Sequence, residues 1–127
     1  MDFTIQSSRP IWQQLTEQLR QRIVTGTYPP GSRFPAVREL AAEAGVNPNT
    51  MQRALQELER EGMVFSQRTA GRFVTEDVNL IEKAKRNFAD EHIRVFLEGM
   101  GRLGYSRGEI LSLLQEEKEE ANGDSGM

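Results

Sequence analysis

Within Gly45-Val46-Asn47-Pro48 the sequence ends one helix and begins the next. Glycine closes a helix in the left-handed conformation without steric cost. Asparagine is a favoured N-cap, and proline suits the first helical position, where its missing N–H has no partner to lose. Upstream, Leu40, Ala41 and Ala44 predict a short helix from about Val37 to Ala44. Downstream, Met51, Ala54, Leu55 and Leu58 share one face and predict a helix from Pro48 to about Glu61, stopped by Gly62. Two helices joined by so tight a turn have the spacing of a helix-turn-helix.

The flanking segments complete a unit around that turn. Ile11, Leu15, Leu19 and Ile23 recur every four residues and predict a helix over 10–25 with one buried stripe. Gln13, Gln14, Glu17, Arg20 and Gln21 fall on its other faces. Tyr28-Pro29-Pro30-Gly31 reads as a turn. Residues 63–66 and 72–75 are β-prone, and the intervening 67–71 connection with its glycine predicts a hairpin. A longer helix is predicted over 80–103. Ser106-Arg107-Gly108-Glu109 then matches a capping box and opens a last helix carrying Ile110, Leu111, Leu113 and Leu114. Residues 116–127 are polar and expected to fray. The fold class is mainly α with a small β-wing. A winged helix-turn-helix over 1–78 precedes a two-helix region over 79–127 with a disordered C-terminal end.

Composition narrows the function classes. The 127 residues include no cysteine and one histidine, His92, so no disulfide, metal site or cofactor is expected. With no paired acidic motif either, no catalytic residues are assigned and the chain is not read as an enzyme. No apolar run is long enough to span a bilayer, and the N-terminus lacks a signal-peptide pattern, so a cytoplasmic location is expected. The net charge of −3 falls entirely in residues 79–127. Over 1–78 nine acids balance nine cations, and all nine cations are arginine. Arginine pairs bidentately with guanine or phosphate, so the residue choice says more than the neutral sum.

The third helix presents Asn47, Asn49, Thr50, Gln52 and Arg53 at its start. Asn and Gln can bond adenine, Arg guanine, and Thr can touch a thymine methyl. Surface helices favour acids in their first turn because of the dipole. Here that turn holds none, while Glu57, Glu59 and Glu61 crowd the end. The pattern weakens a free helix and suits one set beside phosphates. A plain three-helix bundle with a polar outer face would share the same periodicity. At the hairpin, Arg68, Thr69, Gly71 and Arg72 could approach a DNA backbone or enter a minor groove. Arg38, at the start of the second helix, could contact DNA or pair with Glu39 or Glu43. The expected partner is double-stranded operator DNA. The alternative is a protein-interaction module using the same surface.

Residues 10–75 resemble the winged helix-turn-helix of the GntR family of bacterial regulators. The resemblance is carried by Ile11, Leu15, Leu19 and Ile23, then Pro30-Gly31-Ser32-Arg33-Phe34-Pro35 and Val37-Arg38-Glu39-Leu40-Ala41. Gly45-Val46-Asn47, Thr50, Ala54-Leu55, Leu58, Glu61-Gly62 and Gly71-Arg72-Phe73-Val74 complete it. It implies DNA contacts at Arg38, at the start of the third helix and at Gly71. Pro48 and Gln52 depart from the pattern, standing where many members carry arginine. The stretch from Asn47 to Ala54 is similar to the YtrA subfamily, which implies a short dimerising tail, repression and, more weakly, a membrane-transport target.

Residues 79–127 are too few to bury a core alone. Their apolar stripes are expected to meet a second copy, with Ile81, Ala84, Phe88, Phe96, Met100, Leu103, Ile110, Leu111 and Leu114 at the dimer interface. A tail folded back on its own domain is the alternative. So short a tail is not expected to enclose an effector pocket, which leaves a groove between subunits near Phe88, His92, Phe96 and Tyr105. No effector is identified, and no membrane contact is expected.

Overall fold

The computed structural model describes residues 2–125, with side chains through Glu117. Its elements are α1 (Ile11–Val24), α2 (Val37–Ala44), α3 (Pro48–Arg60), β1 (Val64–Gln67), β2 (Gly71–Val74), α4 (Val78–Arg102) and α5 (Arg107–Ser125). They form two compact units, Met1–Asn87 and Phe88–Met127. The division falls inside α4, later than residue 78. Most of the fraying expected from Glu116 onward lies outside the residues whose side chains are described.

The helix boundaries follow from local chemistry. Gly45 closes α2 at φ 68, and the Val46 N–H reaches back to the Ala41 carbonyl at 3.0 Å. Asn47 then caps α3, its side-chain oxygen accepting from the Asn49 N–H at 2.7 Å. Pro10 stands at the N-cap of α1 rather than inside it.

The core of the first unit joins Leu15, Leu19 and Ile23 of α1 with Leu40 and Ala41 of α2 and Met51, Ala54, Leu55 and Leu58 of α3. Each fully buried leucine contributes about 1.5–3 kcal/mol relative to an exposed one. Met63, Val64, Val74 and Phe34 extend the cluster beneath the hairpin. Ile81 and Ala84 of α4 close it, each 8% exposed. Those two were expected at a dimer interface. They are already covered within one chain, because the start of α4 packs on its own unit.

Two expectations for α1 are corrected. Ile11 stays exposed at the first helical position. Gln14, read as a surface residue, is 4% exposed because it holds the N-terminal arm. Its Nε2 donates to the carbonyls of Gln6 (2.7 Å) and Arg9 (2.9 Å), and its Oε1 accepts from the Gln6 N–H at 2.7 Å. One turn on, Gln18 bonds both main-chain groups of Thr4. Four helical residues rise ~6 Å and two extended residues ~6.6 Å. Glutamines spaced by four therefore match backbone positions spaced by two.

The hairpin is antiparallel, with Val64 facing Val74 and Gln67 facing Gly71. Residues 31–34 run along the other edge of β2: Phe34 N–H donates to the Arg72 carbonyl at 2.8 Å and Val74 N–H to Ser32 at 2.9 Å. The sequence reading had placed no strand-like segment there.

In the second unit, the later part of α4 leads through Gly104 to α5. The capping box forms: Ser106 N–H donates to Glu109 Oε1 (2.8 Å), and Glu109 N–H donates to Ser106 Oγ (3.2 Å). Phe96, Leu103, Leu111 and Leu114 are exposed, whereas Ile110 is buried within the single chain. Phe88 and Met100 are half-buried. Among the described residues no helix is long and apolar enough to cross a membrane.

Candidate nucleic-acid interface

The buried side of α3 determines what its other side presents. With Met51, Ala54, Leu55 and Leu58 turned into the core, the helical period leaves Asn49, Gln52, Arg53, Gln56 and Arg60 on the outer face. Asn49 and Arg53 are exposed, and Thr50 and Gln52 are half-buried. No acid occupies the first turn. Asn47 is exposed too, but its oxygen is committed to the cap. The start of α3 is therefore open, with amide and hydroxyl groups free to meet an incoming edge.

Charge is sorted within the first unit. Arg9 pairs with Glu17, Arg20 with Glu61, Arg22 with Glu43, Arg60 with Glu57 and Arg72 with Glu59. Arg33, Arg38, Arg53 and Arg68 have no carboxylate partner among the described residues. Those four stand beside the wing, at the start of α2, on α3 and in the wing turn. Residues 1–78, of zero formal charge, thus keep uncompensated cations on the elements a helix-turn-helix offers to DNA. Composition could not show this, because pairing is a property of the folded chain. Arg38 forms neither of the ion pairs considered for it; Glu43 is held by Arg22 instead.

The wing carries two kinds of arginine. Arg68 and Thr69 lie exposed in its turn. Arg72, expected to face DNA, donates from Nε to Glu59 of α3 instead. Ser66 Oγ donates to the same carboxylate oxygen at 2.6 Å. Burial raises the Glu59 pKa, but the Ser66 and Arg72 hydrogen bonds outweigh it and hold the carboxyl below its ordinary value. Arg72 thus fastens the wing to the side of α3. Gly71 adopts φ 94, a conformation other residues rarely take, and a Cβ there would come within 3.4 Å of Arg33 Nη2.

Arg33, named in the resemblance but not among the expected DNA contacts, joins this group because residues 31–34 run beside β2. Its signal in the sequence was its place in the Pro30–Pro35 stretch that carries the resemblance. Arg33, Arg68, Thr69, Gly71, Val37 and Glu39 help line a groove of about 760 Å³ between the wing and the first turn of α2. Arg53 has a different kind of partner: its guanidinium carbon lies 4.2 Å from the centre of the Trp12 ring. Among the described residues no group of three His, Cys, Asp or Glu could hold a metal ion.

The comparisons agree with this geometry. The model of the bacterial regulatory proteins of the gntR family matches residues 12–74. The chain is 38% identical over 111 residues to the HTH-type transcriptional regulator YhcF of Bacillus subtilis, covering 87% of this chain and 92% of that one. It is 41% identical over 71 residues to the HTH-type transcriptional repressor YtrA of the same organism, covering 56% of this chain and 55% of YtrA. Among solved structures, a GntR family transcriptional regulator from Listeria monocytogenes superposes with a TM-score of 0.80 at 35% identity, covering 88% of this chain and 98% of that one.

Proposed function

The chain belongs to the gntR family of bacterial regulatory proteins, DNA-binding transcription regulators, and from that premise we propose that it is a homodimeric repressor of a two-fold operator. The observation that carries this reading is the open start of α3, flanked by arginines that no carboxylate neutralises. In a helix-turn-helix the second helix enters the major groove and reads base edges with its N-terminal residues. Asn49, Thr50, Gln52 and Arg53 are the proposed readers. Asn47 contributes chiefly through its cap, which orients the first turn. Arg38, Arg68, Thr69 and Gly71 are the proposed backbone contacts, with Arg33 added to them. Arg72 supports the wing.

The first unit is the proposed DNA-binding part and the second the dimerising part. Exposed Phe96, Leu103, Leu111 and Leu114 supply apolar surface for a second copy. Two copies would set their α3 helices in successive major grooves ~34 Å apart. Similarity to YtrA, named a repressor, supports repression.

Selection of bound duplexes from a random pool tests the reading. A palindromic site with half-sites one helical turn apart is expected. Binding should weaken steeply with salt, with a log–log slope near −0.9 per phosphate contacted. Salt-independent binding, or no enriched sequence, would point to a protein partner and refute it.

A further inference from the structure

We propose that Trp12 is a positioning residue for DNA recognition: its ring holds the Arg53 guanidinium over its face, ready to contact the operator. This rests on the DNA-binding reading above. The observation is the Arg53 guanidinium carbon lying over the Trp12 ring, 4.2 Å from its centre. Arg20, Arg60 and Arg72 of the same unit are all held by carboxylates. A carboxylate clamp occupies N–H donors and cancels the charge. An aromatic ring instead engages the guanidinium face and leaves its in-plane N–H edge free for a bidentate acceptor.

The surroundings maintain that difference. Glu57 lies four residues after Arg53, within helical reach, yet pairs with Arg60. Glu61 is held by Arg20 at 2.6 and 2.8 Å. The main chain at Trp12 is anchored within α1. Thr16 Oγ1 donates to the Trp12 carbonyl at 2.8 Å and lies 3.4 Å from the Ala54 carbonyl, next to Arg53 in α3. Thr16 is 2% exposed, so this hydroxyl, packed between α1 and α3, is shielded from water. Confining a long, flexible arginine before binding reduces the side-chain entropy lost when DNA arrives. The acceptor is a planar pair of hydrogen-bond acceptors, supplied by a guanine edge or a phosphate.

The test uses full-length protein and the duplex selected by the wild type. Trp12→Leu should weaken binding about two- to fivefold, the range for an exposed cation–ring contact. Arg53→Ala should weaken it more, and the double variant should bind no worse than Arg53→Ala alone. Trp12→Tyr and Trp12→Phe should fall between wild type and Trp12→Leu, and they carry the comparison if Trp12→Leu does not fold. All position-12 variants should keep the wild-type salt slope, because the charge remains. Loss confined to the selected sequence assigns a guanine edge, whereas equal loss on scrambled DNA assigns a phosphate. Multiplying losses in the double variant, or an unchanged affinity in Trp12→Leu, would overturn the proposal. A wild-type protein without salt-dependent DNA binding would instead refute the underlying reading.

Discussion

Arg68 and Arg72 lie four residues apart on one hairpin, and the structure predicts opposite consequences for their removal. Arg72→Ala takes a guanidinium from a site 18% exposed, opposite a Glu59 side chain 31% exposed. A hydrogen bond to a charged group contributes about 1.5–3 kcal/mol when well shielded. Exposed pairs contribute ~0–1 kcal/mol. This pair lies between the two, and Ser66 still satisfies part of Glu59, so a loss of about 1–2 kcal/mol is expected. For a domain of this size that lowers the melting temperature by roughly 5–10 °C. The salt slope of DNA binding should stay at the wild-type value. Arg68→Ala should do the reverse. Its side chain has no carboxylate partner, so stability should change by no more than ~0.5 kcal/mol. The slope should become shallower by about 0.9, the loss of one phosphate contact. Calorimetry and binding isotherms at several salt concentrations measure both quantities. A shallower slope for Arg72→Ala at unchanged melting temperature would refute the argument that Glu59 occupies this arginine.

Gln14→Ala should release the N-terminal arm, so that the Gln6 amide exchanges with solvent far faster while amides of α3 keep their protection; unchanged Gln6 protection would show that the arm is held by something else. Stability should also fall on acidification. The Glu59 carboxyl lies below its ordinary value of 4.5 in the folded state, so its contribution is present above that pH and is lost as pH drops through the lower folded value. Glu59→Gln should flatten that part of the profile in pH-dependent unfolding, and an unaltered profile would contradict the assignment. Leu111→Asp should yield monomers by sedimentation with weakened operator binding, since it places a charge on the proposed dimer surface. A chain ending after Asp77 should be less stable by about 2–5 kcal/mol than one ending after Asn87, because it lacks Ile81 and Ala84 in the core; equal unfolding midpoints would show that those residues contribute nothing to the first unit.

What the sequence determined by itself was local. Gly45 and Asn47-Pro48 set the turn, because their backbone preferences act whatever surrounds them. The four-residue repeat of Leu15, Leu19 and Ile23 and the inward side of α3 are matters of helical period, and all of these residues are buried. The capping box at Ser106 and the order of helices and hairpin were legible for the same reason. What the tertiary structure decided was which side chains meet across the chain. Nothing local tells Arg72 from Arg68, or Gln14 from Gln13. Arg72 is held because Glu59 arrives from α3, and Gln14 is buried because an extended arm lies along α1. Arg33 joins the wing through a backbone pairing that its own residues do not announce. Ile81 and Ala84 fit an interface stripe by period, yet packing gives them to the core. Periodicity identifies a helix face, but the partner it meets depends on contacts between residues far apart in sequence, and those exist only in the folded chain.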